Sequence, residues 1–401
     1  MSARADAAAD VVIVGGGIHG TAAAWFLLSD PDFGGTVAVI ERDPSLARAA
    51  TSLTNSCIRQ QFSQPINIAC SRFTAEFVRD LPARLGDPDA PRVALRPFGY
   101  LYLAGSEAQE AGLRAAHAVQ REAGAATRLL APDEIAARWP FLSLEGVRLG
   151  SHNGVDEGWF DGAALFEGLR QGARRRGLTT LADEAVGFDR GAGGRVEAVR
   201  LLSGERIACG HVVLAAGTRT AALARRLGVD LPIEPRRRFS YVFEAERPPG
   251  VVPLVIDPSG VHVRSEGPEG SPLYLAGCTP SLDPACDPDD FEDEPDLWME
   301  RVWPALAERV PAFEAIRLRA SWVGHYDYNT LDQNAVVGPV EPVPNLLLAC
   351  GFSGHGLQHA PAVGRGIAEL VVHGGYRSLD LSPFGWHRVP ARAPLIERAV
   401  I

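Results

Sequence analysis

The pattern of apolar and polar positions in the first forty residues predicts a strand, a turn, a helix and a second strand. An apolar run at 11–14 leads into a G-x-G-x-x-G motif, a helical pattern follows, and a second apolar run at 37–40 ends at Glu41. Short apolar runs bounded by glycine or acid are typical of buried parallel strands. This order predicts one βαβ unit at the start of the chain.

The glycines and the acid of this unit match the needs of dinucleotide binding. Gly15 permits a tight turn, Gly17 lets the backbone approach a pyrophosphate, and Gly20 lets the helix pack closely on the strand. The helix N-terminus offers unpaired N–H groups to the phosphates. Glu41, about 20 residues further on, can accept hydrogen bonds from a ribose 2′-OH. An apolar core segment with a glycine turn would leave Glu41 and Gly20 unexplained.

Later segments continue to alternate between helix and strand. Residues 159–177 predict a helix with Asp161 as its N-cap. Buried strands are predicted at Val212–Ala216 and in the stretch NLLLACG, which runs through the turn GFSGHG into another helix. Between about 233 and 330, alternating strands and many prolines indicate an antiparallel sheet that forms one wall of a cavity.

The predicted fold class is α/β, with a Rossmann-like nucleotide-binding domain interleaved with an antiparallel β-sheet substrate domain. The chain would leave the nucleotide domain and return to it twice. The predicted ranges are 8–90, 150–232 and 333–385 for the nucleotide-binding domain, 91–149 and 233–332 for the substrate or cap domain, and 386–401 for a C-terminal tail.

Composition narrows the classes of partner. The 401 residues carry a formal net charge of −10, which gives no basic footprint for nucleic acid or an anionic membrane. The six cysteines are scattered without a C-x-x-C pair, which fits a reducing compartment better than a disulfide scaffold or a metal site. No apolar run approaches the roughly 20 residues of a membrane span. We expect a cytoplasmic protein that binds no metal.

The N-terminal apolar stretch is interpreted as part of the mature fold and not as a targeting segment. Its flank carries Asp6 and Asp10, and its centre is rich in glycine. The first predicted strand begins so early that we expect no transit peptide before it.

Lysine is absent from the sequence, and all 39 basic residues are arginine. Genomic base composition that favours arginine and alanine codons is one explanation. The chemical consequence holds in any case, because no step can use a lysine ammonium.

The glycine motif with its acid, WFDGAAL, VVLAAGTRT and GFSGHGLQHAPAVGRGIAEL occur in an order that resembles the D-amino-acid oxidase/sarcosine oxidase family of FAD enzymes. The resemblance covers essentially the whole chain. In the C-terminal third, strings such as HYDYNTLDQNAVVGP resemble an animal branch of these flavoproteins that is linked to assembly of respiratory complex I. The resemblance implies bound FAD, a glutathione-reductase type of nucleotide domain, and oxidation of a C–N bond.

The family pattern also implies which residues hold FAD. Reduction of a flavin places negative charge on its N1–C2=O edge, and a helix N-terminus aimed there stabilises that charge. A glycine-rich connection without a ligand is the alternative for the GFSGHG turn. The expected FAD-binding residues are Gly15, Gly17, Ile18, His19, Gly20, Glu41, Arg42, Thr51, Ser52, Val186, Ala216, Gly217, Gly351, Phe352, Gly354, His355, Gly356 and Leu357.

Substrate-binding residues follow from the same resemblance. Arg59 matches an arginine that grips the substrate carboxylate, and a planar guanidinium suits that task; a structural ion pair is the alternative. Gln358 and Tyr274 stand where many relatives carry lysines, one for the carboxylate and one for the reaction of reduced flavin with oxygen. His325 matches the position of covalent flavin attachment, although we expect FAD to be non-covalent. His325 and Arg59 are the candidate catalytic residues. Tyr241 either contacts substrate or belongs to the core.

The expected function is oxidation of a small amine or amino acid, such as sarcosine, glycine or a D-amino acid. Without the lysines the chain would be a dehydrogenase that passes electrons to an unidentified acceptor, and a poor oxidase. A flavin-bound assembly or scaffold protein for a respiratory complex is the alternative. An NAD-dependent dehydrogenase would leave the GFSGHG turn without a role.

Overall fold

The computed structural model describes residues 7–280 and 282–399 of the chain. Its strands, in chain order, are β1 (Ala7–Val14), β2 (Val37–Glu41), β3 (Cys57–Ile58), β4 (Leu95–Arg96), β5 (Tyr100–Ala104), β6 (Arg128–Leu130), β7 (Leu149–Asn153), β8 (Gly158–Phe160), β9 (Thr179–Ala182), β10 (Ala185–Arg190), β11 (Val196–Leu201), β12 (Arg206–Leu214), β13 (Ile233–Ala245), β14 (Leu254–Ile256), β15 (His262–Glu266), β16 (Leu273–Cys278), β17 (Ile316–Asn329), β18 (Val336–Val340) and β19 (Val343–Cys350).

The α-helices are α1 (Ile18–Ser29), α2 (Pro65–Arg79), α3 (Leu81–Leu85), α4 (Glu107–Glu122), α5 (Pro132–Arg138), α6 (Gly162–Arg175), α7 (Thr220–Arg225), α8 (Pro295–Leu297), α9 (Trp303–Arg309) and α10 (Ala360–His373). A π-helical turn, Trp298–Val302, joins α8 to α9, and 3₁₀ turns occur at Ala192–Gly194, Gly217–Arg219, Pro311–Glu314, Leu357–His359, Ser382–Phe384 and Trp386–Arg388. The predicted helix at 159–177 is α6, and the Asp161 carboxylate caps it by accepting the Ala164 amide.

The first sheet has a parallel centre. β1 lies between β2 and β12, β12 also pairs with β19, and β2 pairs with β9, all in parallel. The carboxyl ends of parallel strands meet at one edge of a sheet. The glycine turns that follow β1, β12 and β19 are therefore brought together at that edge.

Burial on both faces explains why β1 is continuously apolar. Val11 and Ile13 join the hydrophobic core on one face of the sheet, which also contains residues of α1, α6 and α10. Val12 and Val14 join the core on the other face. A strand covered on both sides needs no polar alternation.

The second sheet has the order β17-β13-β16-β15-β14-β5-β7-β6 and is antiparallel except for the β14–β5 pair. One face forms a separate core that includes Phe239, Tyr241 and Phe243 of β13 and Phe313. The alternate residues of β13, such as Arg238 and Ser240, belong to the opposite face. A small third sheet pairs β3 and β4 with β8.

One predicted domain boundary is corrected by the sheet pairing. The boundary between 149 and 150 falls inside β7, which pairs with β5 and β6 in the second sheet. The sequence of β7, LGSHN, has little apolar character and gave no strand signal. The remaining division into domains stays a proposal.

Buried polar groups hold the C-terminal segment against the loop between β17 and β18 and against the start of α2. Arg388 donates through Nε to Asp332 at 2.8 Å, and both side chains are almost fully buried. Asp332 also accepts the Leu395 amide at 2.9 Å. Further along, the buried Glu397 carboxylate accepts from Ser63 and Asn67. The tail is therefore an integral part of the structure.

None of the helices in the described part of the chain combines the length and apolar character that crossing a membrane would require. The six cysteines are free thiols.

Replacing Asp332 by Asn should strongly destabilise the protein. The change leaves the Arg388 guanidinium buried without a counter-charge, and breaking a buried pair in this way costs about 3–5 kcal/mol. Urea denaturation would measure the loss in the free energy of unfolding. Asp230→Asn is the control, because its ion pair with Arg225 is 3.6 Å long and its side chain is 91% exposed, so little change is expected. Equal stability of the two variants would contradict the structural role assigned to the buried pair.

Candidate active site

A cavity of about 1020 Å³ is lined by residues from both larger sheets and from the glycine turns. Most of the predicted FAD-binding residues line it: Gly15, Gly17, Ile18, His19, Glu41, Arg42, Thr51, Val186, Ala216, Gly217, Phe352, Gly354, His355, Gly356 and Leu357. Gly20, Ser52 and Gly351 do not line it.

Two glycines are required by close backbone contacts at the first turn. Gly15 has φ 105°, and a Cβ there would lie 2.4 Å from the Ala215 carbonyl oxygen. A Cβ on Gly20 would lie 2.0 Å from the Gly15 carbonyl oxygen. Gly20 therefore acts by allowing α1 to approach the turn, as the motif predicts, and does not itself reach the cavity.

Glu41 supports this turn from the end of β2. Its carboxylate accepts the Gly16 amide at 2.7 Å and the Asp43 amide at 2.9 Å. The Thr51 hydroxyl accepts the Ile18 amide at 3.0 Å, at the first residue of α1. Glu41 and Thr51 thus organise the backbone that would receive a pyrophosphate and also line the cavity.

The second glycine turn meets the first through an aromatic contact. The rings of His19 and Phe352 are stacked, with centroids 3.6 Å apart. A Cβ on Gly356 would lie 2.8 Å from His19 Nε2, and one on Gly354 would lie 2.3 Å from the Tyr326 ring. The two turns, more than 300 residues apart in sequence, form opposite walls of one cradle.

The cradle fits a flavin dinucleotide on two observations. A Cβ at Gly354 would collide with Tyr326 and one at Gly356 with His19, so only glycine allows the walls of the cradle to approach this closely. Both ring nitrogens of His19 and Nε2 of His355 are inaccessible to solvent and have no hydrogen-bond partner among the described residues. Burial lowers the pKa of His19 to about 3, so its ring is neutral near pH 7. Polar atoms left unpaired beside a large cavity fit a polar ligand.

Arg59 lines the cavity just beyond β3 and is buried. Its guanidinium donates from Nη1 to the Gln61 carbonyl at 2.7 Å and from Nη2 to the Ala399 carbonyl of the tail. It also lies over the Phe62 ring, 4.0 Å from the centroid. Among the described residues it forms no ion pair, so the structural ion pair considered as an alternative is absent from them.

Gln358 positions Arg59 from the second glycine turn. Its side-chain oxygen accepts the Arg59 amide at 2.9 Å and the Ser71 hydroxyl at 3.1 Å. Gln358 also lines the cavity. The structure therefore brings Arg59 and Gln358 together, and their role in substrate binding stays a prediction.

The polar loop before β3 is held against the second sheet. Arg264 donates to the Asn55 carbonyl at 2.8 Å, and the Ser240 hydroxyl donates to the Asn55 side chain at 3.0 Å. Trp322 donates to the Leu53 carbonyl at 3.1 Å. Protein groups thus provide hydrogen-bond partners for much of this loop, which joins the nucleotide turn to the cavity wall.

His325 lines the cavity but is tied to the acidic loop that precedes α8. Its Nε2 lies 2.6 Å from the Asp290 carbonyl oxygen, which requires a proton on Nε2. The ring stacks on Phe291 with centroids 4.3 Å apart, and burial lowers the His325 pKa. In this tautomer Nδ1 is left to act as a base, and the catalytic role stays a proposal.

Tyr241 and Tyr274 lie in the outer core of the second sheet and do not line the cavity. The Tyr241 ring packs on Trp298 at 5.0 Å, and the Tyr274 ring packs on Phe313 at 4.7 Å. The Tyr274 hydroxyl donates to the Gly250 carbonyl at 3.0 Å. Their prediction as substrate-binding residues is corrected, because alternation along β13 and β16 directs both side chains away from the cavity.

Two carboxyl groups near the cavity were not predicted as site residues. Glu157 accepts the Gln60 amide at 2.6 Å, and burial raises its pKa to about 7. Asp327 lines the cavity and accepts the Gly351 amide at 2.6 Å. An acid at the end of a strand that leads into a polar string is the one sequence signal that could have indicated Asp327.

Comparison with known proteins agrees with this geometry. The family model described as FAD dependent oxidoreductase, DAO, matches residues 10–370. The FAD-dependent oxidoreductase domain-containing protein 1 of Xenopus laevis is 39% identical over 426 residues, covering 98% of this chain and 85% of the relative. The sarcosine oxidase subunit beta of Rhodobacter capsulatus is 28% identical over 386 residues, covering 94% of this chain and 88% of that protein.

A solved structure confirms the fold class. The L-proline dehydrogenase from P. horikoshii superposes with a TM-score of 0.83 at 23% identity, covering 96% of this chain and 99% of that one. The predicted α/β class, with a nucleotide-binding domain and a largely antiparallel substrate sheet, is therefore correct.

Replacing Glu41 by Ala should weaken FAD binding by about 10- to 100-fold. The change removes the acceptor of the Gly16 amide together with the expected ribose contact, and a hydrogen bond to a charged group contributes about 1.5–3 kcal/mol. Titration of the apoprotein with FAD, followed by flavin fluorescence, would measure the dissociation constant. Glu122→Ala, at the exposed end of α4, is the control. An unchanged constant would show that Glu41 does not contribute to binding.

Proposed function

The chain belongs to the DAO family of FAD-dependent oxidoreductases, and from that premise we propose that it oxidises the C–N bond of a small amino acid or secondary amine. Sarcosine, glycine and D-amino acids represent the proposed substrate class. FAD is the cofactor, and we propose that it is held non-covalently by the residues of the two glycine turns.

The observation that carries the proposal is the buried guanidinium of Arg59. A buried charge is costly unless a counter-charge or hydrogen bonds compensate it. Two backbone carbonyls, of Gln61 and Ala399, provide part of that compensation. A substrate carboxylate would supply the missing negative charge, and a guanidinium can bind it in bidentate fashion.

The chain's own residues would bind and orient the substrate. Arg59 would fix the carboxylate, while Gln358 holds the Arg59 backbone to the second glycine turn. Bound FAD supplies the acceptor for the hydride that leaves the substrate α-carbon. The cavity walls would limit water around the amine, which must be neutral to release that hydride. His325 would take up the amine proton through Nδ1, because its Nε2 already donates to the Asp290 carbonyl. Orientation in a closed site is the main contribution of such a protein.

The electron acceptor follows from the charges that the chain lacks. Developing superoxide is stabilised by a fixed positive charge beside the flavin. The sequence has no lysine, and cavity-lining Arg238 is neutralised by Asp283 at 2.7 Å. The charge of Arg59, which also lines the cavity, is the one that the substrate carboxylate would neutralise. Because Tyr274 lies in the core, it does not bear on this argument. We propose a dehydrogenase that delivers electrons to a quinone or an electron-transfer protein.

The substrate class can be tested by anaerobic bleaching of the flavin absorbance with a panel of amino acids. Arg59→Ala should raise the half-saturating concentration of a carboxylated amine such as sarcosine by about 10- to 100-fold. This is the loss of affinity expected when a hydrogen bond to a charged group is removed. Dimethylamine, which lacks a carboxylate, should bleach both proteins at the same concentration.

Two controls separate binding from folding. Arg59→Lys keeps the charge without the planar fork and should give a smaller loss. Arg121→Ala, on the exposed surface of α4, should behave like the unmodified protein. Equal effects of Arg59→Ala on sarcosine and dimethylamine would contradict carboxylate binding. Failure of every amine to bleach the flavin would favour the assembly or scaffold function implied by the resemblance of the C-terminal third.

Oxygen should reoxidise the reduced flavin slowly. Stopped-flow mixing of the photoreduced protein with air-saturated buffer should give a rate no higher than that of free reduced flavin, whereas a soluble quinone should reoxidise it quickly. Oxygen reactivity as fast as that of a true oxidase would contradict the proposed dehydrogenase.

A further inference from the structure

Asp327 stands at the second glycine turn and has no role in the function proposed above. It lies near the end of β17, opposite Pro235 of β13, and lines the cavity. Its Oδ2 atom accepts the Gly351 amide at 2.6 Å, and its carbonyl accepts the Ser353 amide at 3.2 Å. Asp327 therefore fixes both sides of the residue Phe352.

The turn needs this support because its backbone is strained. Gly351, Ser353 and Gly354 have φ values of 75°, 50° and 99°. Ser353 is not a glycine, so its left-handed conformation is unfavourable unless its surroundings hold it. Its hydroxyl accepts the Asn329 amide at 2.9 Å. β17 thus supplies the groups that keep the turn in shape.

Asp327 lies at the turn that is expected to face the ring half of the cofactor. The first glycine motif and Glu41 occupy one part of the cavity and are suited to the ADP half of a dinucleotide. The second turn contacts the Arg59 segment through Gln358, and Arg59, Tyr100 and residues of the second sheet line the same cavity. We therefore expect the reactive ring of FAD to extend toward the second turn.

We propose that Asp327 is a positioning residue with an electrostatic role: it holds the second glycine turn in shape, and its negative charge lowers the reduction potential of the bound flavin. Two-electron reduction of FAD with uptake of one proton gives an anionic reduced flavin. A fixed carboxylate nearby opposes that added charge. Among the described residues, no basic side chain forms an ion pair with Asp327.

The titration of Asp327 adds to the geometric argument. Burial raises its pKa to about 6, although amide hydrogen bonds from Gly351 and Phe352 lower it. Anionic reduced flavin would raise this pKa further. Asp327 would thus have one pKa beside oxidised flavin and a higher pKa beside reduced flavin. Between these two pH values, reduction would draw one additional proton onto Asp327, and the reduction potential would fall more steeply with pH.

Other groups near Asp327 do not titrate in that window. Burial raises the pKa of the Cys350 thiol well above its ordinary value, lowers the pKa of His355 well below its ordinary value, and raises the pKa of Tyr326. On β13, Glu234 and Arg236 form an ion pair at 3.1 Å. Two candidates remain. Glu157 accepts hydrogen bonds from Gln60 and Gln61, and burial raises its pKa to about 7. His325 lies two residues before Asp327 on β17, and burial lowers its pKa.

The test is the midpoint potential of the FAD-loaded protein, measured by equilibration with reference dyes. Asp327→Asn keeps the size of the side chain and removes its charge. It should favour reduced over oxidised flavin by about tenfold, which is about 30 mV more positive for a two-electron couple. Asp380→Asn, outside the cavity-lining residues, should leave the potential unchanged. An unchanged potential in a flavin-loaded Asp327→Asn protein would overturn the proposal.

The pH dependence of the unmodified protein provides a second measurement if Asp327→Asn does not retain flavin. An added slope of about 30 mV per pH unit should begin near pH 6. Glu157→Gln and His325→Gln should each retain this added slope. Its loss in either variant would assign the proton to that residue and refute the proposal. A midpoint potential that falls with pH at one constant slope through this range would refute the proposal as well. Neither measurement depends on amine oxidation, so the two proposals fail separately.

Discussion

The packing of α1 against α10 is the constraint on which the site depends. A Cβ on Gly364 of α10 would lie 2.6 Å from the Cβ of Ala22, so the helices can approach only through glycine. This approach brings His19 onto Phe352 and closes the cradle between the two glycine turns. The parallel pairing of β1, β12 and β19 delivers the preceding strand ends to the same edge. Without that approach the chain would have a nucleotide-binding motif but no closed cradle for the flavin ring.

Local periodicity predicted the parts of the fold that depend on neighbouring residues. The β1–α1–β2 unit and α6 follow from apolar spacing and end signals that lie within a few residues of one another. β7 escaped prediction because it is stabilised by β5 and β6, not by its own composition. Alternation along β13 could show that Tyr241 and Phe243 share a face, but only the packing of Trp298 and Phe313 shows that this face is the core.

The candidate site was predictable where a motif carried it and not where long-range contacts did. Arg59 could be named from its loop, but its contact with Ala399 joins residues 340 positions apart. Gln358 was expected beside the carboxylate, yet its observed contact is with the Arg59 backbone. The role of Asp327 depends on the amide of Gly351, which no sequence spacing reveals. In each case tertiary hydrogen bonding decided what a polar residue does.

The charges around the cavity together suggest how a substrate would be oriented. The acidic loop before α8 neutralises much of the arginine on the walls, since Asp283 pairs with Arg238 and Asp289 pairs with Arg219. Arg59 carries positive charge in the cavity wall just after β3, while Asp327 carries negative charge at the second glycine turn. An amino acid entering this field would be drawn with its carboxylate toward Arg59 and repelled from Asp327. The same two residues would then govern substrate orientation and the readiness of the flavin to accept electrons, which makes their separation in space a functional property of the fold.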